Sequence, residues 1–358
     1  MTLPKKTAQV RAELSRMQGY HSKQVDVEVR LNTNESPEAP PRAFAEALAQ
    51  FVLDAPFHRY PDRAAAELRA AIAEFHGVPR ENVFAANGSN EVLQCLLLAF
   101  GGRDRSVLVF EPTYALHSHI AHITGTPVTE AARNDDYTLS PDAVGAAVRD
   151  ADPTITFLCS PNNPTGLVES PEVLDAAVKA SHGLVVVDEA YGQFSSWSAV
   201  DRVHDDGQVV VVRTFSKTWA MAGLRLGYAI APANVVAALD AVVLPYHLDM
   251  IKQAAGVLAF RFHGEMQARV ASIVEERGRI LDGLAQLEVD VWPSEANFIL
   301  FRPRAVDGGD VWERLVDESV LVRDCSTWPG LAGCLRVTVG TPQENGRFLD
   351  ALGKALIP

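Results

Sequence analysis

The sequence predicts an α/β fold, with a large domain whose mainly parallel sheet is sandwiched by helices and a smaller α+β domain after it. Three observations predict it. First, short continuous runs of Val, Ile and Leu recur at 107–110, 155–159, 184–187 and 209–212, with helical patterns or loops between them. Runs that are apolar at every position fit strands covered on both faces. Second, an amphipathic helical pattern over about 253–287 interrupts this alternation. Third, the strands beyond it are shorter, at 296–301, 320–323 and 334–339, with helices at about 309–318 and 342–355.

In chain order, residues 1–40 form an irregular N-terminal arm, Pro-rich towards its end. Helical patterns at 41–51 and 64–75 flank His58-Arg59-Tyr60-Pro61-Asp62, whose Tyr-Pro step favours an extended backbone. From about residue 83 the rhythm is strand, turn, helix. The large domain is expected over 41–240 and the small one over 241–358, with the arm joining the latter. A chain of 358 residues, 47% hydrophobic and 22% charged, suffices for about two ordinary globular domains.

The net charge of −13 favours solubility and disfavours nonspecific nucleic-acid binding. The first residues carry no apolar run after their lysines, so they do not read as a signal peptide, and the apolar runs are too short to span a bilayer. Cys95, Cys159, Cys325 and Cys334 have neither a C-x-x-C pair nor zinc spacing, and read as reduced thiols of a cytoplasmic enzyme. His117, His119 and His122 do not share one helix face. They read as core packing or the edge of a pocket, and no metal is expected.

Five segments carry polar chemistry at the ends of apolar runs. Ala86-Asn87-Gly88-Ser89-Asn90-Glu91 opens the helix 92–100, whose Val92, Leu93, Leu96, Leu97 and Phe100 make one buried stripe. Gly88 permits a tight turn, and the free N–H groups of Ser89 and Asn90 point at an anion. Plain helix capping by Ser89 is compatible with that. Tyr114 follows the run 107–110, and by itself would read as core. Ser160-Pro161-Asn162-Asn163-Pro164-Thr165-Gly166 follows 155–159, and by itself is a turn. Asp188, with Tyr191 after it, closes 184–187, where ligands sit in open α/β sheets, although Asp also caps helices there. Finally, 209–212 leads into Arg213-Thr214-Phe215-Ser216-Lys217, with Arg225 and Gly227-Tyr228 beyond. A lone Lys217 would read as a solvated surface residue.

In this order, and with Tyr60 ahead of them, these segments resemble the fold-type I pyridoxal-phosphate-dependent aminotransferases, over nearly the whole chain. The resemblance implies that Lys217 forms an imine with the aldehyde of pyridoxal 5'-phosphate and acts as general base. It implies that Asp188 pairs with the ring nitrogen, that Tyr191 and Asn163 (rather than Asn162) bond the phenolic oxygen, and that Tyr114 stacks on the ring. Gly88, Ser89, Asn90, Thr214, Ser216 and Arg225 would hold the phosphate, with Arg225 as a bidentate donor. Tyr60 would reach the phosphate of a neighbouring subunit, which implies a homodimer.

Within that family, Leu31-Asn32-Thr33-Asn34-Glu35-Ser36-Pro37 is similar to the N-terminal segment of the histidinol-phosphate subgroup, with Asn34 and Tyr20 as substrate contacts. The Pro-Gly-like sequence usual after that tyrosine is His21-Ser22 here. In 334–339, Arg336 alternates with Leu335, Val337 and Val339, which places it on the face opposite the apolar residues. The resemblance gives Arg336 and Arg323 the substrate phosphate, or the carboxylate of glutamate, and two guanidiniums suit a dianion. The implied reaction is amino transfer between L-histidinol phosphate and 2-oxoglutarate, in histidine biosynthesis. Aromatic-amino-acid aminotransferases share nearly the same motifs, and a threonine-phosphate decarboxylase shares the fold, so both stay open. Lys217, Asp188 and Arg225 argue against a noncatalytic regulator.

Overall fold

A computed structural model of the chain describes residues 8–15, 17, 19 and 23–357. Tyr20 lies outside the described residues. Seven strands form the larger sheet, in the order Val83–Ala86, Gly227–Ile230, Val209–Thr214, Leu184–Asp188, Ile155–Cys159, Val107–Glu111, Val128–Ala132. Gly227–Ile230 runs antiparallel to both neighbours, and the remaining ladders are parallel. Side-chain alternation divides each inner strand between two cores. Val209 and Val211 face one helix layer, and Val210 and Val212 the other, all of them buried. Burial of each such valine contributes about 1.5–3 kcal/mol, which is why the run is apolar at every position.

The second sheet has the order Val29–Leu31, Val320–Asp324, Leu335–Thr338, Phe298–Pro303, Val289–Val291. Its first strand comes from the arm expected to be irregular. It pairs in parallel with the second, Val29 opposite Val320 and Leu31 opposite Val322. The buried–exposed–buried pattern of Val29, Arg30 and Leu31 is that of a short strand with one apolar face.

The single helix expected over about 253–287 is instead two, Met250–Phe260 and His263–Leu284, broken at Arg261-Phe262. The core contacts change along this stretch. Ala255, Ala259 and Met266 are buried in the core beneath the larger sheet, whereas Ile273, Ile280 and Leu284 are buried against the smaller one. The second helix therefore begins on the core of the larger sheet, at Met266, and ends on that of the smaller one. Met250–Phe260, expected to open the small domain, thus packs with the large one. Among the described residues no helix is long and apolar enough to cross a membrane.

Candidate active site

Every parallel strand of the larger sheet that carries a predicted motif ends at the same edge, and the polar residues collect there. A cavity of about 210 Å³ opens at these carboxyl ends and is closed on the far side by the smaller sheet and the arm. Ser89, Asn90, Tyr114, Asn163, Asp188, Tyr191, Thr214, Ser216, Lys217 and Arg225 line it from the larger sheet, and Asn34, Arg323 and Arg336 from the arm and the smaller sheet. Thirteen of the predicted residues thus share one cavity. Lys217, Arg225, Arg323 and Arg336 outnumber the carboxylate of Asp188 among the lining residues, so the cavity attracts anions although the chain is acidic.

At one end, the helix Ser89–Phe100 points its N-terminus into the cavity, and Gly88 is its N-cap, with φ 80°. Among the described residues no side chain caps this helix, because its N-cap is a glycine. Its first N–H groups are those a helix leaves without internal acceptors, next to the positive end of its dipole. Thr214 donates to the Ser216 hydroxyl at 3.0 Å, and Arg225 donates to the same hydroxyl at 3.2 Å. Arg225 adopts a left-handed backbone, φ 52°, which turns its guanidinium back towards Gly88. A Cβ on Gly88 would stand 2.8 Å from that guanidinium, and one on Gly227 2.3 Å from the Ser89 nitrogen. Two glycines therefore let helix, strand and arginine converge.

Asp188 is buried in the floor. Its Oδ1 accepts from the Ala190 nitrogen at 3.1 Å, and its Oδ2 lies 2.9 Å from His117 Nε2. The His117 ring lies flat on Phe157, centroids 4.7 Å apart, and edge-on to Tyr114 at 5.4 Å. Sequence reasoning left His117 as packing or pocket edge. The structure makes it the partner of Asp188, and its spacing one helical turn after Tyr114 was the available signal. His119 is half-buried and His122 exposed, and among the described residues no group of three is arranged to hold a metal. Just below, the Arg213–Glu189 ion pair, at 2.6 Å and buried, pins together the ends of the strands that present Asp188 and Thr214.

Lys217 reaches across to the arm. Its Nζ donates to the Asn34 carbonyl at 2.8 Å and the Thr33 carbonyl at 3.3 Å. Asn34 has a left-handed φ of 55°, and its amide donates to the Tyr191 hydroxyl at 2.9 Å. Burial pushes the Tyr191 phenol up, so the hydroxyl keeps its proton. Arg336 donates to Asn163 Oδ1, and to the Asn32 carbonyl at 3.1 Å. Asn162, by contrast, is spent on the loop itself, donating to Pro112 and Thr165 and accepting from Thr113. Tyr60 stands apart, exposed and stacked on Tyr246 at 4.4 Å. The backbone carbonyls of Asn32 and Thr33 were invisible to side-chain motifs.

Burial, then the guanidinium of Arg336, pushes the Lys217 amine down to about 7. Lowering a base's pKa enlarges its neutral, nucleophilic fraction at neutral pH. The rate at which Lys217 condenses with pyridoxal, followed by stopped-flow absorbance, is expected to climb between about pH 6 and 8 and then level off. A rate still climbing near pH 10 would mark an ordinary lysine and contradict this.

Comparison with known proteins gives a consistent set. The sequence family described as aminotransferase class I and II matches residues 26–352. A histidinol-phosphate aminotransferase of Corynebacterium diphtheriae is 42% identical over 96% of this chain and 95% of its own length. One from Mycobacterium avium is 44% identical over 96% of this chain and 87% of its own. Among solved structures, histidinol-phosphate aminotransferase from Sinorhizobium meliloti, in complex with pyridoxal-5'-phosphate, superposes with a TM-score of 0.85 at 23% identity, covering 92% of this chain and 91% of that one. At that identity the likeness speaks for the fold.

Proposed function

Since the chain belongs to the class I and II aminotransferase family, we propose that it moves an amino group from L-glutamate to imidazole acetol phosphate, and the reverse. The products are 2-oxoglutarate and L-histidinol phosphate, a step of histidine biosynthesis. Its cofactor in this reading is pyridoxal 5'-phosphate, carried on Lys217. One observation carries the proposal: a single cavity brings Lys217 and Asp188 together with two substrate-facing guanidiniums, Arg323 and Arg336. The names of relatives at 42% and 44% identity support the same substrate.

The residues present fit the cofactor. The uncapped helix end, the Thr214 and Ser216 hydroxyls and Arg225 suit a phosphate dianion, and the glycine-permitted closeness of these groups leaves them converging on one spot. The carboxylate of Asp188, backed by His117, suits a protonated ring nitrogen. When bound, pyridoxal phosphate supplies an aldehyde for the substrate amine and a ring that accepts the electron pair of a broken Cα–H bond.

The chain's own residues do the rest. Lys217 Nζ would be the base that takes the proton from the substrate's Cα and gives a proton back in the exchange. Tyr191 and Asn163 would hold the cofactor through its phenolic oxygen, and Tyr114 would pack on its ring. Arg323 and Arg336 hold the phosphate of one substrate and a carboxylate of the other, which lets one pocket serve both half-reactions. Asn34 contributes its carbonyl to the amine of Lys217. The exposed Leu53, Phe57, Tyr60 and Leu244 support a homodimer. In such a dimer Tyr60 would serve the phosphate of the neighbouring subunit. Four buried, unbridged cysteines support a cytoplasmic setting.

A substrate panel with 2-oxoglutarate as acceptor tests the reading. Histidinol phosphate is expected to exceed phenylalanine by about 100-fold in kcat/KM, because phenylalanine offers the paired guanidiniums a carboxylate monoanion in place of a phosphate dianion and a phenyl ring in place of a hydrogen-bonding imidazole. Preference for phenylalanine would establish the aromatic aminotransferase instead, and carbon dioxide release from threonine phosphate the decarboxylase.

A further inference from the structure

The strand Leu335–Thr338 presents two polar side chains to the cavity side, Arg336 and, two residues on, Thr338, while Leu335, Val337 and Val339 fill the core behind it. Arg336 has a role in the reaction proposed above. Thr338 does not line the cavity, yet its hydroxyl is fully engaged: it accepts from the Asn34 backbone N–H at 3.0 Å and donates to Asn34 Oδ1 at 3.1 Å. Both residues are buried.

Asn34 is the junction. Its carbonyl accepts from Lys217 Nζ, and its side-chain amide donates to the Tyr191 hydroxyl. Its left-handed backbone, φ 55°, is one that Asn takes up more readily than other L residues. Asn297, from the neighbouring strand region, donates to the same Asn34 carbonyl at 3.2 Å. The Thr338 hydroxyl thus grips Asn34 at backbone and side chain at once, and Asn34 holds two groups of the reaction centre.

We propose that Thr338 is a positioning residue for amino transfer: through Asn34 it couples the strand that bears the anion-gripping Arg336 to Lys217 and Tyr191. The inference rests on Lys217 being the cofactor lysine. Anion binding that shifts this strand is felt at the amine and the phenol together, because one residue holds both.

The test compares Thr338→Val, Thr338→Ala and Thr338→Ser in the full-length enzyme loaded with pyridoxal phosphate. Val and Ala remove the hydroxyl at similar and smaller volume, and Ser restores it. Two readouts are taken: the pH midpoint of the visible absorbance without substrate, and kcat and KM for glutamate. Without its hydroxyl anchor, Asn34 no longer aims Tyr191. More negative charge then stays on the ring oxygen, and the adjacent proton is held more tightly. The midpoint is expected to rise by about one pH unit in Val and Ala. kcat is expected to fall about tenfold, with KM within about twofold. Ser is expected to match the parent.

An unchanged midpoint in Val or Ala, a loss confined to KM, or a Ser variant as impaired as Val overturns the coupling. If Val does not fold, Ala carries the same comparison. If neither folds, a Ser variant matching the parent in stability but shifted in midpoint also overturns it, and a Ser variant with the parental midpoint supports the hydroxyl's role. A parent protein with no visible band on adding pyridoxal phosphate defeats the cofactor reading, whereas a normal parent with unresponsive variants defeats this inference alone.

Discussion

Lys217→Ala is expected to lower turnover by about 10⁴-fold or more, since on the proposed mechanism it removes both the covalent anchor and the general base. The visible absorbance that marks cofactor bound through an imine should vanish with it. Phosphate binding should survive, because the helix end at Ser89, the Ser216 hydroxyl and Arg225 do not depend on Lys217. Equilibrium dialysis would find pyridoxal phosphate still bound, reversibly, and an added small amine would restore a fraction of the rate. The neighbourhood explains why the loss is so large. Lys217 is held by two arm carbonyls over the cavity, and among the lining residues the other cations are arginines, which do not give up a proton at neutral pH. Activity in the Ala variant within about a hundredfold of the parent would overturn the assignment of this lysine.

The second large effect belongs to Asp188. Asp188→Asn keeps size and shape and removes the charge, so the loss reads electrostatics rather than packing. kcat is expected to fall about 10³-fold, in the range seen when one preorganised electrostatic group is deleted from a site. KM for glutamate should change little, because Arg336 and Arg323 line the cavity from the other sheet. His117 gives the experiment a second arm. Its Nε2 faces the carboxylate at 2.9 Å, so His117→Phe keeps the stack on Phe157 while stripping the carboxylate of that partner. The drop should be smaller than for Asp188→Asn, about tenfold. Asp188→Asn with a kcat close to the parent's would remove the ring-nitrogen role from this residue.

What the sequence discloses is what lies close together along it. The runs ending at Phe110, Cys159, Val187 and Val212 are strands apolar on both sides, and each runs into its polar turn, so strand and motif are read in one pass. The strand Val128–Ala132 escaped because it is an edge strand, exposed at Thr129, Glu130 and Ala132, with no continuous apolar run. Gly227–Ile230 escaped because it begins inside the motif of Arg225 and runs against its neighbours. The pairs that tune the site are far apart in sequence, such as His117 with Asp188 and Asn34 with Thr338. No local pattern announces a hydrogen bond between residues that only folding brings together. The helix break at Arg261-Phe262 was equally hidden. The amphipathic pattern runs on through it, and the exchange of one core for the other beyond Met266 is a property of the folded molecule.

The pairing of Val29–Leu31 with Val320–Asp324 bears on anyone shortening this protein. A version starting at residue 41 would look harmless on a plot of secondary structure. It would strip away the carbonyls that seat the amine and leave Val320–Asp324 as a bare sheet margin, its backbone N–H and C=O groups unmet. Such a margin recruits strands from other chains, so the truncated protein should clump during expression rather than merely work poorly. Affinity handles placed ahead of residue 1 avoid that hazard, and trimming should stop well short of Val29.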